Sequence, residues 1–307
     1  MSIELRMEPL CPVMSWADFC KSKEPFSIAI DGYVAAGPRF DETGPRANFN
    51  HHEEVDRLAT RATCAQILIA IRQGLFDCFL KNGTPTAIVY ANDCDEDVST
   101  SWFLLNNSHL AGHTINPLLN RLVSTEELMD ATAGAYPLPA SSPVLEELAW
   151  VFEPYRRFRV SGEIDKREAR SFEAVVTDVG NRIMLYITGR GEKIPLDTRF
   201  EKIFSANRWS MIREVGANAK TGMFASGIKA YVSARERPNG RWSYTVGRMS
   251  QFINFDVLKI LNALSIAEGG GERWGGGNTI GGSPRASGRR LSPEEVIKII
   301  NSVIEYV

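Results

Sequence analysis

The N-terminal half of the chain alternates short apolar runs with longer stretches patterned as helices. FSIAIDGY, Phe26 to Tyr33, is an apolar run with β-branched content that stops at an acid and a glycine. That is the pattern of a buried strand handing the chain to a loop, with Asp31 at its C-terminal end. RLATRATCAQILIAIRQGLF, Arg57 to Phe76, is rich in Ala, Leu and Ile and free of glycine until Gly74, which predicts a largely buried helix. KNG at Lys81 to Gly83 predicts a turn. TAIVY, Thr86 to Tyr90, predicts a second strand running into Asp93, Asp95, Glu96 and Asp97 ahead of an apolar helix. Acids in a first helical turn suit the macrodipole, and Glu96 and Asp97 are assigned that role.

The C-terminal half has a different texture. GIKAYVSARER, the turn PNG and RWSYTVGRMS predict a β-hairpin, and NFDVLKILNALSIAEGGG predicts an amphipathic helix closed by glycine. The last helix carries Ser292 as N-cap, Pro293 at its first position and Glu295 completing a capping box. Val296, Ile299, Ile300, Val303 and Ile304 then share one face. YPLPASSPVLEEL, Tyr136 to Leu148, clusters proline and serine and places a domain boundary near residue 140. The densely charged stretch Val151 to Phe172 predicts a solvated helical face that includes Arg156, Arg157 and Arg159.

Composition narrows the class. With 307 residues, 44% hydrophobic and 23% charged, the chain suits two globular domains. A formal net charge of −2 gives no sign of a protein built to coat nucleic acid or anionic membrane, so any polyanion must be met locally. Five scattered cysteines without CxxC spacing argue against a disulfide framework or a zinc knuckle. No apolar run approaches the roughly 18 residues of a membrane span, and the start lacks the basic-then-apolar layout of an export signal. The expectation is a cytoplasmic protein that does not engage a membrane.

Chemistry enters through the polar groups at the strand ends. Asp31 and the alternating Asp93 and Asp95 end strands at the edge where open α/β sheets place ligands, and His51 and His52 stand side by side in a chain with only four histidines. Carboxylates and imidazoles converging from separate strand ends predict a site for Mn²⁺, Mg²⁺ or a similar divalent ion, with a mixed N/O shell favouring Mn²⁺ or Fe²⁺ over Ca²⁺. Two such ions would activate a water against a phosphoester. Asp41 and Asp56 are reserve ligands, while His109 and His113 flank Gly112 and suit capping or surface roles. In the C-terminal half, Gly275 to Gly277 expose backbone N–H groups to an anion, with Arg285, Arg289 and Arg290 nearby to pair with phosphate.

The order VGRMS, a helix beginning FDVLKIL, then GGGNTIGG resembles the C-terminal substrate-binding domain of the DHH family of phosphoesterases. The front half is similar to that family's catalytic domain, with NDCDED as its D-x-D element, AIDG as its second acidic strand end and Asn50, His51 and His52 as the triplet that names it. Asn50 stands where the family has aspartate, Asn278 where its glycine loop has histidine, and the D-x-D element follows the triplet instead of preceding it.

The resemblance implies a two-domain α/β fold: a parallel-sheet, metal-binding catalytic domain over residues 1–140 and, over 141–307, connecting helices and a smaller α/β substrate-binding domain. It implies hydrolysis of a phosphomonoester or phosphodiester, such as a nucleotide, a short oligonucleotide or another small phosphorylated molecule, through a water activated by two Mn²⁺ or Mg²⁺ ions. Asp31, His51, His52, Asp93 and Asp95 would be the metal ligands, with His51, His52 and Asp95 catalytic. Arg248, Gly275, Gly276, Gly277, Asn278 and Arg285 would hold the substrate. A homodimer is an assembly to test. The alternative, motivated by Asn50 and Asn278, is a family member without catalysis that binds a phosphorylated small molecule or nucleotide.

Overall fold

The computed structural model describes residues 2–112, 115–206, 208–237, 239–269, 273–284 and 288–305. Of the residues singled out in the sequence, His113, Pro238, Gly270, Gly271 and Arg285 lie outside these. The architecture is mixed α/β with two sheets, and the chain divides into two compact units. One comprises Met1–Ala133 and Pro143–Pro195, the other Gly134–Ser142 and Leu196–Val307.

The first unit contains, in chain order, β1 (Ser2–Met7), α1 (Trp16–Ser22), β2 (Ser27–Ile30), β3 (Arg39–Asp41), β4 (Arg46–Phe49), α2 (Thr63–Arg72), α3 (Leu75–Cys78), β5 (Leu80–Lys81) and β6 (Thr84–Ala91). The helices α4 (Glu96–Asn106), α5 (Ser108–Gly112), α6 (Pro117–Ala131), α7 (Pro143–Val151), α8 (Glu153–Val160) and α9 (Ala169–Ile187) follow. Its sheet runs β1-β6-β2-β4-β3, with β5 also paired to β6. The four strands β1, β6, β2 and β4 are parallel and the edge strand β3 is antiparallel.

Every residue of β2 is buried, as an interior parallel strand covered on both faces requires. Ile28 and Ile30 enter one core with Ile67 of α2, Leu104 of α4, Leu122 of α6 and Phe172 and Val179 of α9, while Ala29 enters another with Phe19, Tyr33 and Tyr90. This packing brings residues 143–195 into the first unit. The charged stretch before α9 is not wholly solvated, because Pro154, Tyr155 and Phe158 of α8 are buried.

Parallel pairing decides where the polar groups go. With Ile30 opposite Phe49 and Ala29 opposite Tyr90, the C-terminal ends of β2, β4 and β6 open on one sheet edge. Asp31, Asn50 to His52 and Asn92 to Asp97 emerge there together.

The second unit contains β7 (Phe200–Ser205), β8 (Ser210–Glu214), α10 (Ala219–Ala225), β9 (Ala230–Glu236), β10 (Trp242–Arg248), α11 (Val257–Glu268), β11 (Gly275–Gly276), β12 (Ile280–Gly282) and α12 (Pro293–Glu305). Its sheet runs β11-β12-β10-β9-β8-β7. Leu261 of α11 and Ile300 of α12 pack on Val232 and Val246 of the sheet. The capping box of α12 forms: Ser292 N–H donates to Glu295 Oε2 at 2.7 Å, and Glu295 N–H donates to Ser292 Oγ at 3.3 Å.

Candidate metal centre

Asp31 follows β2 in the left-handed region, with φ of 49°, a conformation aspartate tolerates better than most residues. Its N–H donates to the carbonyl of Phe49 at 2.9 Å, which ties it to the end of β4. Asn50 then fastens the loop after β2: its Nδ2 donates to the carbonyls of Val34 (3.2 Å) and Ala36 (2.9 Å) and to Glu53 Oε2 (2.7 Å). Its Oδ1 accepts from the N–H of His52 at 3.1 Å. The amide of Asn50 therefore fixes the backbone that presents the two histidines, whose rings stand 4.5 Å apart.

Asp97 lies in the first turn of α4, as its position beside Asp95 predicts, but it is buried and its carboxylate serves a second helix. Its oxygens accept from the backbone N–H groups of Thr63 (2.7 Å) and Cys64 (2.6 Å) at the start of α2. The N-cap residue of α2, Ala62, has no side chain to do this. Asp130 comes from the last turn of α6, where an acid opposes the helix dipole, so its placement is not explained by helix stability.

These side chains converge on the imidazole of His51. Its Nε2 lies 2.7 Å from Asp130 Oδ2, 3.5 Å from Asp31 Oδ1 and 3.7 Å from Asp97 Oδ2. His52 Nε2 lies 2.9 Å from Asp31 Oδ1, which also accepts from the hydroxyl of Thr63 at 3.1 Å. The ligand atoms of Asp31, His51 and His52 are all within 4.8 Å of one another, and so are those of His51, Asp97 and Asp130. Each group can hold a metal ion.

The donor chemistry fits a divalent cation. Nδ1 and Nε2 of His51 and Oδ2 of Asp130 are buried without a hydrogen-bond partner among the described residues, although two of these atoms face each other at 2.7 Å. Buried polar atoms are seldom left so. The charge balance points the same way. Burial lifts the carboxyl of Asp97 to about 7, with the charges of Asp31 and Asp130 adding to the effect. Burial likewise lifts Glu96 to about 7, raises Asp93, and raises Asp95 and Glu126 well above the ordinary range, neighbouring acids contributing in each case.

Asp31 goes the other way: burial opposes its ionisation, but His51 and His52 outweigh that and hold its carboxyl below the usual range. Burial would lower His51, yet the carboxylates of Asp130 and Asp31 raise it to about 9. Carboxylates gathered in a dry site around one imidazolium are costly, and divalent ions offset that cost.

Three of the residues expected as ligands, Asp31, His51 and His52, are thus together. Asp93 and Asp95 belong to neither group, although both feel the charge of Asp31. Asp93 Oδ1 accepts from the N–H of Cys94 at 2.7 Å, and Asp95 N-caps α4, accepting from the N–H of Val98 at 3.0 Å. DCDED contains two overlapping D-x-D patterns, and the second, Asp95 to Asp97, carries the carboxylate that faces His51. Asp130 has no local sequence signal beyond an acid at an unfavourable helix end. Asp41 pairs with Arg46 at 3.3 Å, Asp56 accepts from the N–H of Leu58 at 3.0 Å, and His109 is exposed on α5.

In the second unit the glycine loop is a hairpin. Gly275 and Gly276 pair with Gly282 and Gly281, and the N–H of Gly277 donates to the carbonyl of Ile280 at 2.8 Å. Gly276 has φ of 151°, and a Cβ there would lie 2.2 Å from the Cα of Gly281, so backbone packing alone requires glycine. Arg248 donates from Nε to the carbonyl of Asn278 (2.9 Å) and from Nη1 to that of Ile253 (3.0 Å), which braces this hairpin from the end of β10. Arg289 is buried 3.3 Å from Glu268, and the backbone N–H of Arg290 donates to Glu268 at 2.8 Å.

Compared with protein-family models and with curated proteins, the chain matches no family model and no curated protein.

Proposed function

We propose that this chain is a metal-dependent phosphoesterase of the DHH type, hydrolysing a phosphomonoester or phosphodiester with Mn²⁺ or Mg²⁺. The observation that carries this is the meeting of Asp31, His52, Asp97 and Asp130 around His51, whose Nε2 faces three of those carboxylates and whose buried Nδ1 has no hydrogen-bond partner among the described residues. One imidazole nitrogen binds one cation, so His51 would serve one ion of a pair and the carboxylates would carry the other. Bound there, two divalent ions would supply Lewis acidity toward a phosphoryl oxygen and lower the pKa of water.

The protein's own contribution is to hold the ligands still. The Thr63 hydroxyl orients Asp31, the N–H groups at the start of α2 orient Asp97, and Asn50 fixes the turn that aims both histidines. His52, with its side chain 32% exposed against 0% for His51, is the ligand of the pair on the side from which a substrate would approach. Asp93 and Asp95 accept from the backbone N–H groups of Cys94 and Val98, which fixes the start of α4 beside the cluster. Asn50 is no evidence for a purely binding protein, since its amide supplies donors that a carboxylate lacks.

The test is Mn²⁺ titration by calorimetry together with turnover of p-nitrophenyl phosphate and bis-p-nitrophenyl phosphate. Binding and hydrolysis that both vanish in His51→Gln and Asp31→Asn, with the fold intact by circular dichroism, are expected. A wild-type protein that takes up no Mn²⁺ overturns the proposal. Mn²⁺ uptake and nucleotide binding without turnover would favour the binding alternative.

A further inference from the structure

One guanidinium stands at the rim of the centre. Arg57 lies between the histidine pair and α2, and its Nη2 donates to Asp130 Oδ1 at 3.1 Å and to the carbonyl of Asp130 at 3.0 Å. The same carboxylate turns its other oxygen toward His51 Nε2. Arg57 is thereby joined to the cluster through a single residue. Its side chain is 37% exposed and that of Asp130 21%, whereas Asp31 and Asp97 are at 4% and 1%. Arg57, Asp130 and His52 are the parts of the assembly that solvent reaches.

The donors of Arg57 are incompletely used. Nε is buried and has no hydrogen-bond partner among the described residues. Arg61, the neighbouring arginine, is already committed to both oxygens of Glu127, at 2.9 and 3.1 Å. A planar guanidinium anchored through Nη2 and 37% exposed can present its solvent-facing N–H groups to phosphoryl oxygens.

We propose that Arg57 receives the phosphoryl group of the substrate at the rim of the centre, donating to its non-bridging oxygens while Asp130 fixes the guanidinium in place. The inference rests on the phosphoesterase reading. It differs from a purely positioning role, in which Arg57 would only clamp Asp130 and the end of α6.

Calorimetry on the full chain separates the two. Wild type, Arg57→Gln and Arg57→Lys are titrated first with Mn²⁺ and then, Mn²⁺-loaded, with inorganic phosphate. The expected result is unchanged Mn²⁺ stoichiometry in all three, phosphate affinity lower by about 10- to 100-fold in Arg57→Gln, and partial recovery in Arg57→Lys. KM for p-nitrophenyl phosphate should rise in parallel, and excess Mn²⁺ should not restore it. Phosphate affinity in Arg57→Gln equal to wild type, or a deficit that excess Mn²⁺ repairs, overturns the inference while leaving the phosphoesterase reading intact. Failure of the wild type to bind Mn²⁺ overturns that reading and this inference with it.

Discussion

If the proposed DHH reading holds, Asn50 stands where the triplet would have its acid, so Asn50→Asp is an obvious experiment. The contacts of Asn50 argue against a gain. An aspartate would set a buried carboxylate against the carbonyls of Val34 and Ala36 and against Glu53, removing the donors that all three accept from. Asn50→Asp should therefore lower stability by about 2–4 kcal/mol, measured by urea unfolding, and should not raise Mn²⁺ affinity. A variant as stable as wild type that binds Mn²⁺ more tightly would show that the amide is a lost ligand and not a brace.

Two elements depend on groups supplied from elsewhere in the fold. Helix α2 begins at Thr63 without a cap of its own and borrows the carboxylate of Asp97 from α4. Asp97→Ala should cost about 0.5–2 kcal/mol for the lost cap and weaken Mn²⁺ binding as well. Asp95→Ala, which removes only the cap of α4, should cost a similar amount with a smaller effect on Mn²⁺. Equal metal affinity in Asp97→Ala and wild type would remove Asp97 from the ligand set. In the second unit, Gly276→Ala places a Cβ 2.6 Å from the Ile280 carbonyl as well as against Gly281. Opening the hairpin in response should cost about 1–3 kcal/mol, read as a lower unfolding midpoint.

At the scale of the molecule, the metal-free centre sets a pH dependence with a definite sign. His51 is raised from 6.5 to about 9, so its contribution to stability is complete below 6.5 and lost as pH rises through 9. Asp97 and Glu96, raised from 3.8 and 4.5 to about 7, act in the same direction at lower pH, their neutral forms being the ones burial favours. Asp31, held low, acts oppositely and only in acid. The metal-free protein should accordingly lose stability between about pH 5 and 9. Mn²⁺ competes with the His51 proton, so the stabilisation it brings should grow over the same interval. At 100-fold excess over Kd near pH 8.5 the expected rise is about 5–10 °C in the melting temperature of the first unit, reversed by EDTA and smaller at pH 6. A rise that is larger at pH 6 would contradict the protonated state assigned to His51.

How much of this was legible without coordinates differs by element. The run of apolar residues ending at Asp31, the hairpin around PNG and the capping box of α12 are local patterns, because spacing along a chain reports which positions avoid water and which groups cap a helix. The same logic exposes Asp31 as a polar group directly after a strand, while His51 and His52 stand out as an adjacent pair in a chain with four histidines. It assigns Asp97 to a helix start, which is correct for α4 and blind to α2, and it passes over Asp130 altogether. Those two acids reach His51 only because β6 lies between β1 and β2 and because α4 and α6 pack over the same face as α2. The sequence by itself determined the elements and the acids and imidazoles that end them. Which of those groups share one dry space was decided by the tertiary structure alone, since convergence depends on strand order and helix packing between segments far apart in the chain.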